Sequence, residues 1–231
     1  MVQHVYDRAK RATLVHGVWV ATDDERIARA VEAFGGKVVM TSAVHPTGTH
    51  RVIEAAGIVG GDPVVNLQGD EPLIRPEQVD LVIQALEEDP EADVATLCVE
   101  SRDKREIDDP NCVKVITDRM QRALYFSRSP IPFYREVKPA HLFPEQAAPA
   151  WGAAWIHVGI YAYRRKALEL MASLPPSPWE LAESLEQLRF LYWGLKIKVL
   201  PTGHRTVGVD VPGDAARVES LMRAELSQED T

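Results

Sequence analysis

The sequence predicts an α/β fold with a mostly parallel sheet and a small antiparallel insertion. Two observations carry that expectation. Through the first hundred residues, short apolar runs alternate with stretches of helical periodicity, the pattern of parallel strands covered by helices. Beyond residue 100 the alternation gives way to two strand-like runs joined by a short polar connection, which predicts a local antiparallel pair. At 231 residues the chain is long enough for one large α/β domain with a sizeable core, spanning 1–231.

The elements follow in order. "MVQHVYDRAKRA" has a charged, helical pattern, and "VWVAT" (Val18–Thr22) is the first strand. In "DDERIARAVEAFGG" the residues Ile27, Val31 and Phe34 recur at helical spacing, and Gly35 can end the helix. "KVVM" is the second strand; after the loop "TSAVHPTG" a helix runs from Thr49 to about Gly57. "PVVNL" is a third short strand, closed by a Gly-Asp-Glu-Pro turn. The next helix runs from about Pro76 to Glu88 with Val79, Val82, Ile83 and Leu86 inward, and "DVATLCV" is the strand after it. "CVKVIT" and "ALYFS" form the antiparallel pair. Residues 130–155 hold five prolines (Pro130, Pro132, Pro139, Pro144 and Pro149) and read as a long ordered loop or an insertion covering a site. "IHVGIYAY" resumes as a strand. "SPWE" is a capping box, with Ser177 as cap, Pro178 at the first helical position and Glu180 reaching back. The helix behind it has an apolar stripe of Leu181, Leu185, Leu188 and Tyr192, with Glu183, Glu186 and Gln187 on the opposite face. "LKIKVL" is one more strand, and "VDVPGDAARVESLMRAEL" closes the chain as a short strand, a turn and a helix.

Composition removes several classes of function. The 26 Lys+Arg against 34 Asp+Glu give a net charge of −8, with no long basic run. A general nucleic-acid binder needs a basic face to displace counterions, so no nucleic-acid partner is expected. Cys98 and Cys112 show neither C-x-x-C spacing nor the density of a disulfide scaffold, which suits a reducing cytoplasm. No apolar stretch approaches the roughly 20 residues that span a bilayer, and residues 1–12 lack the apolar run of a secretory leader. A soluble cytoplasmic protein with no membrane partner is the expectation.

"NLQGDEPLI", Asn66 to Ile74, places two carboxylates where a strand has just run out. Gly-Asp-Glu-Pro is turn chemistry, and Asp before a helix is commonly a cap. Asp70 nevertheless has a counterpart in Asp210 of "VGVDVPGD", also just past a strand. If both strands belong to one parallel sheet, their carboxyl ends share an edge, where ligands of open α/β sheets gather. Two carboxylates there suit magnesium, which takes few protein ligands plus phosphates and water. Composition and spacing leave both readings open. In "IHVGIYAY", alternation puts His157, Gly159, Tyr161 and Tyr163 on one face, as in a sugar-binding surface or in any half-exposed strand.

The wording of the motifs goes further. "NLQGDEPLI" resembles the magnesium-binding motif of the CMP-sugar synthetases. "VATDDERIARAVEAFGGKVVMTSAVHPTGTHR", "ALYFSRSPIP", "HVGIYAYR", "PSPWELAESLEQLRFLYWG" and "GVDVPGD" occur in the order and spacing of one branch. Over nearly all its length the chain is similar to the 3-deoxy-manno-octulosonate (Kdo) cytidylyltransferase family. The resemblance implies a Rossmann-like sheet of the nucleotide-diphospho-sugar transferase type. It implies transfer of CMP from CTP to the anomeric hydroxyl of Kdo, giving CMP-Kdo and pyrophosphate for lipopolysaccharide biosynthesis. It also implies Mg2+ as cofactor, with Asp70 and Asp210 as its ligands and the catalytic pair. Thr47, Gly48, Gln68 and Asp70 are the implied nucleotide contacts, and no general base is named. For the sugar acid the implied contacts are Arg128, which can pair with a carboxylate through a bidentate fork, and His157, Tyr161, Glu186 and Gln187.

Two departures stand beside the match. "PTGT" carries Thr47 where the family usually has Ser, and His50 where an acidic residue is common. The family's initial strand and its loop of the type "PAR..S.R.PGK.L", whose cations hold the triphosphate, have no counterpart in this sequence. A longer full protein is therefore expected, with that strand lying centrally in the sheet. The resemblance further implies a homodimer, with 112–155 as insertion and dimerisation region and the interface at about residues 112–135. Rival expectations are a cytidylyltransferase for a related sugar acid and a truncated homologue that binds without turnover.

Overall fold

The computed structural model describes residues 1–133, 154–209 and 212–229. Helix α1 (Val2–Arg11) is followed by β1 (Val20–Thr22), α2 (Glu25–Ala33), β2 (Val38–Met40), α3 (Gly48–Val59) and β3 (Val64–Asn66). Then come α4 (Pro76–Glu88), β4 (Val94–Ser101), a short α5 (Lys104–Asp108), β5 (Lys114–Thr117) and β6 (Ala123–Ser127). The last segments hold β7 (Ala154–Tyr163), α6 (Arg165–Ser173), α7 (Pro178–Glu183), α8 (Gln187–Tyr192), β8 (Ile197–Pro201) and α9 (Pro212–Glu229). The α/β class read from the sequence is the class observed.

The sheet is mixed. Its main path runs β6-β5-β7-β4-β8, with β3 pairing β7 as well. β4 and β8 are parallel, while β7 runs antiparallel to β3, β4 and β5, and β6 antiparallel to β5. β1 and β2 form a separate parallel ribbon. Among the described residues β1 and β3 do not pair with each other; α3 contacts β1, β2 and β3 and so joins the ribbon to the main sheet.

Two apolar clusters lie on the two faces of β4. Ala95, Leu97 and Val99 pack with Ile156, Val158 and Ile160 of β7 and with Val79, Val82, Ile83 and Leu86 of α4. The α4 stripe is the one read from the sequence, and its start is set by Pro76 and by Gln78 Oε1 accepting from the Arg75 N–H at 3.1 Å. On the other face Val94 and Cys98 pack with Phe126, Leu168, Met171, Leu188 and Phe190, from β6, α6 and α8. The functional side chains described below lie on this second face.

Two helices differ from the periodicity reading. In α2 the buried pair is Ala28 and Val31, while Ile27 is exposed, because the helix turns a narrower stripe onto the β1–β2 ribbon. Behind "SPWE" the single expected helix is two. Ser177 and Glu180 make the reciprocal capping box, each bond 3.1 Å, but Ser184 adopts φ 52°, ψ 48° and stops α7 there. That left-handed residue rotates the second half of the segment. Gln187 and Leu188 are therefore buried, Glu183 is half-buried, and Leu181 and Tyr192 of the expected apolar stripe are exposed. Residues 134–153, with Pro139, Pro144 and Pro149, and Asp210 with Val211 lie outside the described residues, as therefore does part of the 112–155 region. The described part of that region, β5 and β6, is built into the main sheet beside β7.

Candidate active site

β7 supplies the floor of the site. Its alternation turns Ile156, Val158, Ile160 and Ala162 into the core and leaves His157, Gly159 and Tyr161 half-buried on the other face. The pairing of β4 with β7 slips between Thr96 and Leu97, where Thr96 faces Tyr161 and Leu97 faces Val158. That irregularity brings the Thr96 hydroxyl within 2.7 Å of the Ile160 carbonyl, 3.2 Å of the Val158 carbonyl and 2.9 Å of His157 Nε2. A hydroxyl has one proton. With it directed to a carbonyl, Thr96 accepts from His157 Nε2–H, and the ring presents Nδ1 as an acceptor. Burial pushes the His157 pKa down to about 4, so the ring is neutral near pH 7. Phe126 meets it edge-on at 5.2 Å, and the Tyr161 ring lies 5.3 Å from it.

Tyr161 and Tyr163 stack at 5.7 Å, and burial raises both hydroxyls, which therefore stay protonated donors. Tyr163 is hydrogen-bonded to the side chains of Thr49 and Asn66, which ties β7 to the start of α3 and to β3. Glu71 approaches the same face: a Cβ placed on Gly159 would sit 3.4 Å from its Oε1.

The start of α3 and the start of α8 are locked together by one carboxylate. Thr47 caps α3, and its hydroxyl donates to Glu186 Oε1 at 2.7 Å, while the Thr49 hydroxyl donates to Glu186 Oε2. Having given its proton to Glu186, Thr47 Oγ1 accepts from the His50 ring nitrogen Nδ1 at 2.8 Å. The residue that departs from the usual "SGT" context thus braces the loop it sits in. The Glu186 carboxylate is near enough to Tyr161 to act on its hydroxyl electrostatically, the Tyr161 ring lies 5.3 Å from His157, and Gln187, next to Glu186 in the chain, is buried.

Asp70 and Gln68 lie just past β3 and are exposed. The turn is held by Glu71 N–H donating to Gln68 O at 3.3 Å, and Asp70 O accepts from Val209 N–H at 2.9 Å. A Cβ on Gly208 would lie 4.0 Å from that Asp70 oxygen. The 208–209 segment is thus docked on the Asp70 turn; Asp210 lies outside the described residues. Among the described residues no three His, Cys, Asp or Glu side chains converge as a metal site.

Arg128, at the end of β6, is braced by backbone carbonyls: Nε donates to Glu183 O at 2.7 Å, Nη1 to Pro110 O at 2.9 Å and Nη2 to Ser184 O at 3.2 Å. The Glu183 carboxylate in turn accepts from Arg128 N–H at 2.9 Å and from the Ser127 hydroxyl at 2.7 Å. Of the five guanidinium N–H groups, three are engaged in these bonds, and each Nη keeps one more.

Sequence reasoning passed over Thr96, Glu71, Thr49 and Glu183 as parts of this site. Thr96 had a visible signal, a hydroxyl in the otherwise apolar strand "DVATLCV". Glu183 had none, since only the break at Ser184 turns it inward.

Known proteins resemble this chain in sequence and in fold. Residues 1–197 match the family model described as cytidylyltransferase. The chain is 50% identical over 218 residues to the 3-deoxy-manno-octulosonate cytidylyltransferase of Geobacter sulfurreducens, covering 94% of this chain and 87% of that one. It is 45% identical over 228 residues to the enzyme of that name from Escherichia coli, covering 99% and 87%. A solved CMP:2-keto-3-deoxy-manno-octonic acid synthetase complexed with CTP superposes with a TM-score of 0.87 at 46% identity, covering 97% of this chain and 88% of that one. A putative glucose-1-phosphate thymidylyltransferase from Bacillus anthracis shares the fold, at a TM-score of 0.62 and 14% identity over 96% of this chain and 82% of that one. On the family match and the identity held across almost its whole length, the chain belongs to the cytidylyltransferase family, in the branch of the 3-deoxy-manno-octulosonate cytidylyltransferases.

Proposed function

We propose that this chain transfers CMP from CTP to the anomeric hydroxyl of Kdo, releasing pyrophosphate. The observation that carries the reading is the carboxylate of Glu186, which holds Thr47 and Thr49 on the nucleotide side and borders Tyr161 on the sugar side. One carboxylate therefore stands between the two substrate sides. In-line displacement at a phosphate needs positioning and charge neutralisation more than covalent help from the protein. Thr47 and Gly48 offer backbone groups and Gln68 its side-chain amide to the nucleotide. Tyr161 and Gln187 donate to sugar hydroxyls, neutral His157 accepts at Nδ1, and Arg128 takes the carboxylate through its two further N–H groups.

Asp70 and Asp210 would hold Mg2+, and the support is the bond from Val209 N–H to Asp70 O, which docks the residue before Asp210 on the Asp70 turn. Hard carboxylate oxygens at an exposed turn fit that ion. When bound, magnesium supplies charge neutralisation at the triphosphate and lowers the pKa of a coordinated hydroxyl. The reaction serves lipopolysaccharide biosynthesis in the cytoplasm; among the described residues no helix is long and apolar enough to cross a membrane. The working unit is a homodimer built on residues 112–135, a region whose Met120, Leu124 and Phe133 are 47%, 57% and 87% exposed.

The test is product analysis by mass spectrometry of CTP, Kdo and Mg2+ incubated with the protein and with its D70N variant. CMP-Kdo from the parent, and a loss of at least 100-fold in D70N that extra Mg2+ partly restores, are the expected results. An unaltered D70N rate would remove Asp70 from the metal site.

A further inference from the structure

Lys114 is a lysine on β5 with no exposed surface at all. A buried ammonium is costly unless its donors are engaged, and burial lowers its pKa here. Its Nζ donates to two backbone carbonyls, Asp109 O at 2.9 Å and Arg128 O at 2.5 Å. The charged or titratable groups facing it are Asp108, Asp109, Glu183 and Cys112. A methionine or leucine would fill the same volume without that cost, so retention of an ammonium asks for a use.

The position supplies one. Lys114 and Arg128 interlock: Lys114 holds the carbonyl of Arg128 and that of Asp109, and the Arg128 guanidinium holds the carbonyl of Pro110, the next residue along. The guanidinium also holds the Glu183 and Ser184 carbonyls at the end of α7. Three chain segments, the loop before β5, the end of β6 and the α7–α8 break, are thereby fixed around one guanidinium. A fork that must meet a carboxylate in plane loses more from a small rotation than a point charge does.

We propose that Lys114 is a positioning residue for the sugar-acid end of the site, clamping the Arg128 backbone so that its two further N–H groups face the substrate carboxylate. This rests on the assignment of Arg128 to that carboxylate. Lys114 does not touch substrate. Its effect is on the sugar acid and not on CTP, because the nucleotide-side residues Thr47 and Thr49 are bonded to Glu186 instead.

The experiment is steady-state kinetics on K114M, which keeps the volume, and K114Q, which keeps two donors, run at least 10 °C below each variant's melting temperature. R128Q is measured in parallel. The expected result is a KM for Kdo raised at least tenfold in K114M and less in K114Q, with KM for CTP within twofold of the parent. If K114M does not fold, K114Q carries the same comparison. An unchanged KM for Kdo in a folded variant would overturn the proposal, as would an equal rise for both substrates, which is the mark of a general packing role. If R128Q raises KM for Kdo while the Lys114 variants do not, the clamp alone falls. If R128Q has no effect, the Arg128 assignment falls and the clamp with it.

Discussion

Protonating His157 should destabilise this protein in a pH range where few side chains titrate. The ring pKa lies at about 4 in the folded state against 6.5 for an open imidazole, and the cause is burial, with Phe126 and Tyr161 in ring contact. Because the folded pKa is depressed, the ring is neutral in both states above pH 6.5 and contributes no pH dependence there. As pH falls from 6.5 towards 4, the unfolded chain takes up a proton that the folded chain refuses, and stability is lost. The full shift of two and a half units corresponds to about 3 kcal/mol at 1.36 kcal/mol per unit. By pH 5.5 about 1.4 kcal/mol of it is already gone. Urea denaturation of the parent and of H157Q at pH 7.5 and pH 5.5 isolates this contribution from that of the carboxylates. The parent should lose about 1.4 kcal/mol more than H157Q over that interval. In the parent, the imidazole nitrogen signals at pH 5.5 should show the neutral ring with its proton on Nε2. Equal losses in the two proteins, or an imidazolium at pH 5.5, would refute both the buried neutral ring and the Thr96 bond that sets its tautomer.

Other consequences follow from single bonds. E180A should destabilise the fold by about 3–5 kcal/mol in chemical denaturation, because it removes the carboxylate that pairs the guanidinium of Arg189, a residue only 4% exposed, and half of the α7 capping box. E186Q keeps one acceptor oxygen where Thr47 and Thr49 need two, so it should raise KM for CTP as well as for Kdo. A lost bond to a charged acceptor, about 1.5–3 kcal/mol, corresponds to roughly 10–150-fold. An effect on KM for Kdo alone would mean that the nucleotide loop does not depend on Glu186.

Much of this fold was legible because its signals are local. The α4 stripe, the Ser177–Glu180 box and the alternation of β7 are written within a dozen residues each, and each stands where the pattern put it. The run from Leu181 to Tyr192 was misread because one residue outweighs the period. Ser184 takes a left-handed backbone conformation that its side chain does not announce, and the turn it makes reverses which residues are buried. The mixed direction of the sheet was hidden for a different reason. A strand's direction is set by the path of the segment before it, and the segment before β7 is the proline-rich stretch without periodicity. Of the residues named from motifs, His157 and Tyr161 lie on β7, Thr47 and Gly48 at the start of α3 and Glu186 and Gln187 at the start of α8, while Gln68 and Asp70 stand at the turn after β3, Arg128 at the end of β6, and Asp210 outside the described residues. What the motifs did not carry were the supports: Thr96, Thr49, Glu183 and Lys114 act through contacts 50 residues or more from their partners or through backbone carbonyls. Such contacts leave no spacing in a sequence.

The reaction itself is tested most directly by pyrophosphate release. Protein purified from its native host is given CTP and Mg2+ with Kdo, and in a matched reaction with a sialic acid. Pyrophosphate should appear with Kdo, in step with CMP-Kdo, and stay at the blank with the sialic acid. Release that is equal with both sugar acids, or absent with Kdo, would contradict that reaction.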